Sequence, residues 1–259
     1  FLPPLAPRGS RRYHGRMARA AAVFRFYEEL NDFLPQERRR RDFEVEIDRA
    51  RSVKDAIESV GVPHPEVDLV LVDGRSVDFG HLLRGGERVA VYPMFESLDI
   101  TPVLRLRPLP LRDPRFVADG HLGKLARHLR MAGFDTLWDM GWDDDQIVSI
   151  SAVQKRTILT RDKAMLRRSD VERGYFVRAV ESEAQLGEVV ARMQLEGRVA
   201  PFTRCRECNV PLEDVPREAV LERQLYERFR RCPGCERVYW EGTHFERMKG
   251  VLERLRAGA

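Results

Sequence analysis

At 259 residues, 43% apolar and 33% charged, the chain is long enough for two domains and a small module with cores of their own. It has no run of about 18 apolar residues, which excludes a membrane-spanning helix, and no apolar secretory segment, so we expect a cytoplasmic protein with no membrane partner. A net charge of +4 and a pI near 9.0 permit a polyanionic partner without requiring one. The basic charge is almost all arginine, with Lys54, Lys124, Lys155, Lys163 and Lys249 the only lysines. Guanidinium suits phosphate geometry, but a base composition that writes Arg for Lys throughout gives the same skew, and we assign most of the arginines to it.

Residues 1–16, rich in Pro and Arg ahead of Met17, read as a disordered tail or upstream extension. The first block runs from 17 to 97. Ala21–Tyr27 predicts a strand, with Val23 and Phe24 set against Arg25. The charges of Glu37–Arg41 suit an exposed turn, and Phe43–Ile47 alternates as a half-buried strand. Ser52 caps a helix whose Val53, Ala56, Ile57 and Val60 share one face and which ends at Gly61. Val67–Val72 and Arg88–Tyr92 are further strands, with Asp73-Gly74 as a hairpin turn. Two strands, a helix and more strands is the β-grasp order. In Phe24-Arg25-Phe26-Tyr27, Ser52-Val53-Lys54-Asp55, Gly61-Val62-Pro63-His64 and Arg88-Val89-Ala90-Val91-Tyr92-Pro93 the block resembles the ubiquitin-like sulfur carriers of molybdopterin and thiamine synthesis. Those carriers act through a free C-terminal Gly-Gly. Here Gly85-Gly86 precedes the last strand and the chain runs on through Met94-Phe95-Glu96-Ser97, so we expect a tethering or protein-binding module instead.

Residues 98–114, Pro-rich from Pro102 to Pro114, read as an extended linker. The second block, 115–198, alternates strands and helices. Arg115–Ala118 is a short strand. Leu122, Leu125, Ala126 and Leu129 stripe a helix ended by Gly133, and Thr136–Met140 is a strand. Asp145–Val153 is a helix with Ile147, Ile150 and Ser151 inward; Thr157–Thr160 and Tyr175–Val180 are strands, and Ser182 opens a helix through Leu186, Val189, Val190 and Met193. Repeated β-α-β predicts a parallel sheet with helices on its faces.

The third block, 199–259, holds all four cysteines as two knuckles, Cys205-x2-Cys208 and Cys232-x2-Cys235, 23 residues apart, followed by a helical tail over Phe245–Leu255. A two-residue spacing lets one turn present two thiolates to one ion, and two such turns complete the tetrahedral sulfur shell of structural zinc. Two disulfides or four unrelated thiols are the alternatives, and the spacing suits disulfides poorly. Four thiolates leave the metal no open position for substrate.

Chemistry is expected beyond the carboxyl ends of the parallel strands. Asp119 follows the first strand of the block, Asp162 the third, and Asp143-Asp144-Asp145 opens the helix between them. These acids meet at one rim if the first and fourth strands are neighbours. Clustered carboxylates share hard cations, and Mg²⁺ or Mn²⁺ so held can activate water against a phosphodiester. Each Asp is also an ordinary cap or turn former.

The run Phe116-Val117-Ala118-Asp119-Gly120-His121-Leu122-Gly123-Lys124-Leu125-Ala126-Arg127-His128-Leu129-Arg130-Met131-Ala132-Gly133-Phe134-Asp135 resembles the opening of the PIN-like RNase family first noted at the C-terminus of mutator exonucleases. Leu159-Thr160-Arg161-Asp162 is similar to its second signature, and Arg204-Cys205-Arg206-Glu207-Cys208-Asn209, Cys232-Pro233-Gly234-Cys235 and Tyr239-Trp240-Glu241-Gly242-Thr243-His244 to its appended zinc ribbon. Members with a β-grasp domain in front exist. The implied architecture is α/β: a β-grasp domain, a PIN-like parallel-sheet domain and a C-terminal zinc ribbon.

The resemblance implies a metal-dependent ribonuclease with Asp119 and Asp162 as catalytic, Mg²⁺- or Mn²⁺-binding acids. The middle acid is Asp144 by register, with Asp143 and Asp145 open; Asp170 and Glu172 are candidates for a fourth. Lys124, Arg127 and Arg161 are expected to contact RNA, and Cys205, Cys208, Cys232 and Cys235 to hold zinc, with His244 a surface or supporting residue rather than a ligand. Tyr239 and Trp240 either stack on bases or fill the ribbon's core, and we prefer the core. PIN-type nucleases commonly form homodimers. Two other readings stand beside the enzyme: a non-catalytic RNA-binding adaptor and a sulfur-carrier accessory.

Overall fold

The computed structural model describes residues 20–47, 49–93, 105–106, 114–216, 228–240, 242, 250–251 and 253. The expected tail over 1–16, most of the 98–114 linker and His244 lie outside them. Of the Phe245–Leu255 tail, Gly250, Val251 and Glu253 are described; they are helical.

The first domain is built on strand β1 (Ala21–Phe26). Ala22, Phe24 and Phe26 point into its core, so Val23 shares the outer face with Arg25 rather than the inner face with Phe24. The elements that follow are β2 (Phe43–Glu46), β3 (Arg51–Ser52), helix α1 (Val53–Ser59), β4 (Val67–Val72), β5 (Arg75–Ser76), β6 (Leu82–Leu83) and β7 (Arg88–Pro93). The main sheet runs β2-β1-β7-β4-β5, with β1 and β7 parallel and the other pairs antiparallel, while β3 and β6 pair separately. Ser52 Oγ accepts the amide of Asp55 at 3.0 Å and starts α1, whose Val53, Ala56 and Ile57 close the core. Asp73 and Gly74 take φ of 48° and 78°, as a tight hairpin requires, but the turn joins β4 to the two-residue β5 rather than to β7. Gly85 and Gly86, at φ of 101° and 97°, form a turn against β1; a Cβ on Gly85 would lie 2.4 Å from that of Ala20. This Gly-Gly is a turn inside the fold, not a tail.

The second domain alternates β8 (Arg115–Ala118), α2 (Gly123–Met131), β9 (Asp135–Leu137), α3 (Asp144–Gln154), β10 (Thr157–Thr160), α4 (Lys163–Leu166), β11 (Gly174–Phe176) and α5 (Ser182–Arg192). Its four strands are parallel in the order β11-β10-β8-β9. The first strand therefore lies beside the third, not the fourth, and β11 is an edge. Leu125, Ala126 and Leu129 of α2 meet Leu186, Val189 and Val190 of α5 in one core, which Val251 joins, while Ile147 and Val148 of α3 meet Val117 and Ile158 in another. The sheet is thus covered on both faces, which explains the near-continuous burial of Phe116–Ala118 and Thr157–Thr160. In α3 the inward residues are Ile147, Val148 and Ser151; Ile150 is half-buried.

Antiparallel strands β12 (Glu213–Val215), β13 (Phe229–Arg231) and β14 (Val238–Trp240) form the third unit. The β-grasp domain meets the parallel-sheet domain along β11. The His64 ring donates from Nε2 to the Val171 carbonyl at 2.8 Å, and the Phe176 amide donates to the carboxylate of Glu66. Arg178 reaches Asp32 at 3.0 Å and Glu66 at 3.7 Å. Burial pushes the Glu66 carboxyl up to about 7, against the pull of Arg178.

Candidate active site and four-cysteine cluster

Strand pairing delivers two acids to one rim. Beyond the last residue of β8, the Asp119 amide donates to the Leu159 carbonyl of β10 at 2.9 Å, so Asp119 and Asp162 leave adjacent parallel strands in the same direction. Thr160, fully buried, joins them: its hydroxyl donates to Asp119 Oδ2 at 2.7 Å and accepts the Asp162 amide at 2.9 Å. Each acid also closes a local turn, Asp119 accepting the His121 amide at 3.3 Å and Asp162 the Ala164 amide at 2.7 Å. Capping and clustering coexist here, because each carboxylate has two oxygens.

The three acids at the start of α3 divide by role. Asp143 is the cap, in a reciprocal box with Gln146 at 2.8 and 3.0 Å. Asp145 pairs with Arg168 at 2.6 Å. Asp144 carries a carboxyl raised by burial first, then by the charges of Asp162 and Asp119, with Arg168 opposing. Charges raise a neighbour's pKa only at short range, so Asp162 and Asp119 belong to the electrostatic surroundings of Asp144. The donors are hard oxygens, the set that Mg²⁺ or Mn²⁺ takes. Among the described residues only the cysteines bring three or more ligand atoms within 4.8 Å of one another, so the aspartates stand wider than that. Direct ligands of one octahedral ion lie at most roughly 4.2 Å apart, twice the bond length. As they stand, the three acids are therefore not all placed to bind one such ion directly.

At the other end of the domain, the four Sγ atoms lie within 4.8 Å of one another, with Cys205 to Cys235 at 3.6 Å and Cys208 to Cys232 at 3.2 Å. Zn–S bonds of 2.3 Å in a tetrahedron set sulfurs roughly 3.8 Å apart, so the cluster is compatible with a zinc ribbon. Both knuckles fold alike: Asn209 and Glu236, each just past a second cysteine, have φ of 66° and 59° and donate amides to the Cys205 and Cys232 carbonyls. Tyr239 sets its hydroxyl 3.0 Å from Cys205 Sγ. Burial pushes that thiol up, but amide and Tyr239 hydrogen bonds outweigh it and lower Cys205, while burial and the neighbouring thiols raise Cys208, so the four sulfurs share their protons unevenly.

A family model described as the Mut7-C RNAse domain matches residues 114–252, over half of the chain and inclusive of both the acidic rim and all four cysteines. The chain belongs to the Mut7-C RNase family. A second model, Mut7-C ubiquitin, matches residues 19–99, in front of the first. No curated protein and no solved structure matches the chain.

Within the Mut7-C RNase domain, the expected RNA contacts separate. Lys124 stands exposed on the first turn of α2. Arg127 lies over the Trp138 ring at 5.5 Å and pairs with Glu207 of the first knuckle at 3.4 Å. Arg161 donates to the carbonyls of Val177, Arg178 and Ala179, stapling the exit of β11. Both candidate fourth acids are engaged by cations: Asp170 is held by Arg168 at 2.9 Å and Glu172 by Lys155 at 3.5 Å. Tyr239 and Trp240 are half-buried on β14.

Two supports of the rim escaped sequence reasoning. Thr160 is one, although it stands two residues before Asp162 in the quoted signature. The other is Trp138, whose indole donates to the Gly120 carbonyl at 3.0 Å and lies so close that a Cβ on Gly123 would come 2.4 Å from the ring. Gly123 lets the indole brace the turn that carries Asp119.

Proposed function

We propose that this protein is a ribonuclease that hydrolyses RNA phosphodiester bonds at Asp119, Asp144 and Asp162 with Mg²⁺ or Mn²⁺, in the manner of PIN-type enzymes, while zinc on the four cysteines is structural. The observation that carries this reading is the mutual charge at the rim: Asp144 is raised by Asp162 and Asp119 after burial, in a chain matched by an RNase family model. A divalent ion would supply there an acidified water and neutralisation of the charge on the phosphoryl group. The chain's part is to hold the donors. Thr160 fixes the rotamer of Asp119 and the amide of Asp162, and the Asp143 cap fixes the end of α3 that presents Asp144.

An adaptor that binds RNA without cutting it has no use for three carboxylates beside a polyanion, since each repels the backbone. A protein partner is the reading we take for the ubiquitin-like domain. Among the described residues no helix is long and apolar enough to cross a membrane. The test is cleavage of labelled single-stranded and structured RNAs by the purified chain in Mg²⁺ or Mn²⁺. Cleavage lost in Asp119→Asn supports the enzyme; binding without cleavage under either ion supports the adaptor.

A further inference from the structure

The β-grasp domain touches the parallel sheet beside the acids. Phe176 of β11 is the cross-strand partner of Thr160, the hydroxyl that ties Asp119 to Asp162. Phe33, at the end of the 3-10 turn Glu28–Phe33 of the β-grasp domain, meets Phe176 edge-on with ring centroids 5.9 Å apart. Lys163 is the residue directly after Asp162. Its ammonium lies 5.3 Å from the Phe33 ring and 5.2 Å from the Phe176 ring, one ring from each domain. The side chain is exposed, and no carboxylate among the described residues pairs with it.

That sets Lys163 apart from the other cations close by. Arg178 also lies over both rings, at 5.0 and 5.8 Å, but is taken by Asp32, Glu66 and Glu188. Arg168 is taken by Asp145 and Asp170, and Arg161 by three carbonyls. A ring face attracts an ammonium without consuming its N–H donors. Lys163 is therefore steered by two aromatics yet keeps its donors for an anion. Three carboxylates repel an approaching RNA strand, and a cation one residue from Asp162 offsets that repulsion where a phosphate must come in.

We propose that Lys163, seated on Phe33 and Phe176, binds a phosphate of the RNA strand next to the acidic rim, so that the β-grasp domain forms one wall of the substrate site. This rests on the ribonuclease reading. The test is binding of a fluorescent single-stranded RNA to the zinc-loaded full chain, without added Mg²⁺ or Mn²⁺, across a range of salt. One phosphate contact on a single strand contributes a slope of about 0.7 in log affinity against log salt. Lys163→Ala is expected to lower the slope by about that amount and to weaken binding about fivefold at 0.1 M salt, the same slope carried from 1 M. Lys163→Arg keeps the slope. Phe33→Leu, which preserves apolar packing, weakens binding in the parent chain and has no further effect in Lys163→Ala. Melting temperatures of all variants check folding. If the parent chain cleaves RNA while Lys163→Ala keeps its affinity and slope, this inference falls and the ribonuclease reading stands. If the parent chain neither binds nor cleaves RNA, both fall.

Discussion

Replacing Thr160 by Val tests whether the rim is an organised site or three acids that happen to be close. Valine matches the shape of threonine but removes the hydroxyl that donates to Asp119 at 2.7 Å and accepts from Asp162 at 2.9 Å. A hydrogen bond to a charged group contributes about 1.5–3 kcal/mol. Thr160 is fully buried while Asp119 is half-exposed and Asp162 exposed, so water can replace part of the link but not the hydroxyl itself. We expect a stability loss of about 2 kcal/mol by urea unfolding. The larger effect is on rate. A displacement of about 1 Å in a reacting group can cost about a hundredfold, and the freed Asp119 has other rotamers to take. Single-turnover RNA cleavage in Mg²⁺ should fall by one to two orders of magnitude (about 10- to 100-fold) with RNA affinity little changed. Thr160→Ser, which restores the hydroxyl, should recover most of that rate. A folded Thr160→Val that cleaves at the parent rate would refute the reasoning.

Gly123→Ala should destabilise by about 1–3 kcal/mol through overpacking, because its Cβ would come 2.4 Å from the Trp138 ring; thermal melts check this, and a neutral result would mean that the indole can shift freely. Glu66 ties stability to pH. Its carboxyl is raised from an ordinary 4.5 to about 7, so the folded state holds a proton that the unfolded chain releases. The stabilisation is full below 4.5, declines as pH rises and is lost above about 7, a swing of roughly 3 kcal/mol at about 1.4 kcal/mol per pH unit. Glu66→Gln cannot titrate, so its stability relative to the parent should climb by that amount between pH 4.5 and 7.5 in paired urea melts; parallel curves would contradict the assignment. Removal of zinc by a chelator should loosen β9 as well as the ribbon. Asn209 of the first knuckle accepts the Thr136 amide at 3.1 Å and donates to Asp135 at 2.7 Å, while Arg130 donates to the Arg206 and Glu207 carbonyls. Hydrogen exchange at the Thr136 amide should quicken on chelation and in Asn209→Ala, and unchanged protection would mean that ribbon and sheet are independent.

Much of the fold is legible in local chemistry. The strand at β1, the Ser52 cap, the stripe of α2 and the paired knuckles depend on neighbours within a few residues, and the structure bears them out, though it moves Val23 to the outer face of β1. Strand order is different. Nothing local says that β10 lies beside β8, and placing the fourth strand there instead would have left Asp162 a strand away from Asp119. The same limit hid the fates of the arginines. Arg127 and Arg161 read as contacts for RNA, but their partners in the structure, Glu207 and the carbonyls of 177–179, are distant in the chain or carry no side-chain signature. The choice of Asp144 within its acidic run was made by register. In the structure Asp143 caps the helix and Asp145 pairs with Arg168, two local engagements that the acidic run itself does not announce. Thr160 and Glu66 had no reading of their own, since one acts through a paired strand and the other across a domain boundary.

Cation binding puts the shared rim under the most direct strain. Mn²⁺ titrated into the zinc-loaded chain, followed by electron paramagnetic resonance, should reveal one site that Asp119→Asn and Asp162→Asn abolish and Asp143→Asn leaves in place. Undiminished Mn²⁺ binding in Asp119→Asn and Asp162→Asn would mean that the carboxylates do not share an ion, and the proposed chemistry would lose its centre.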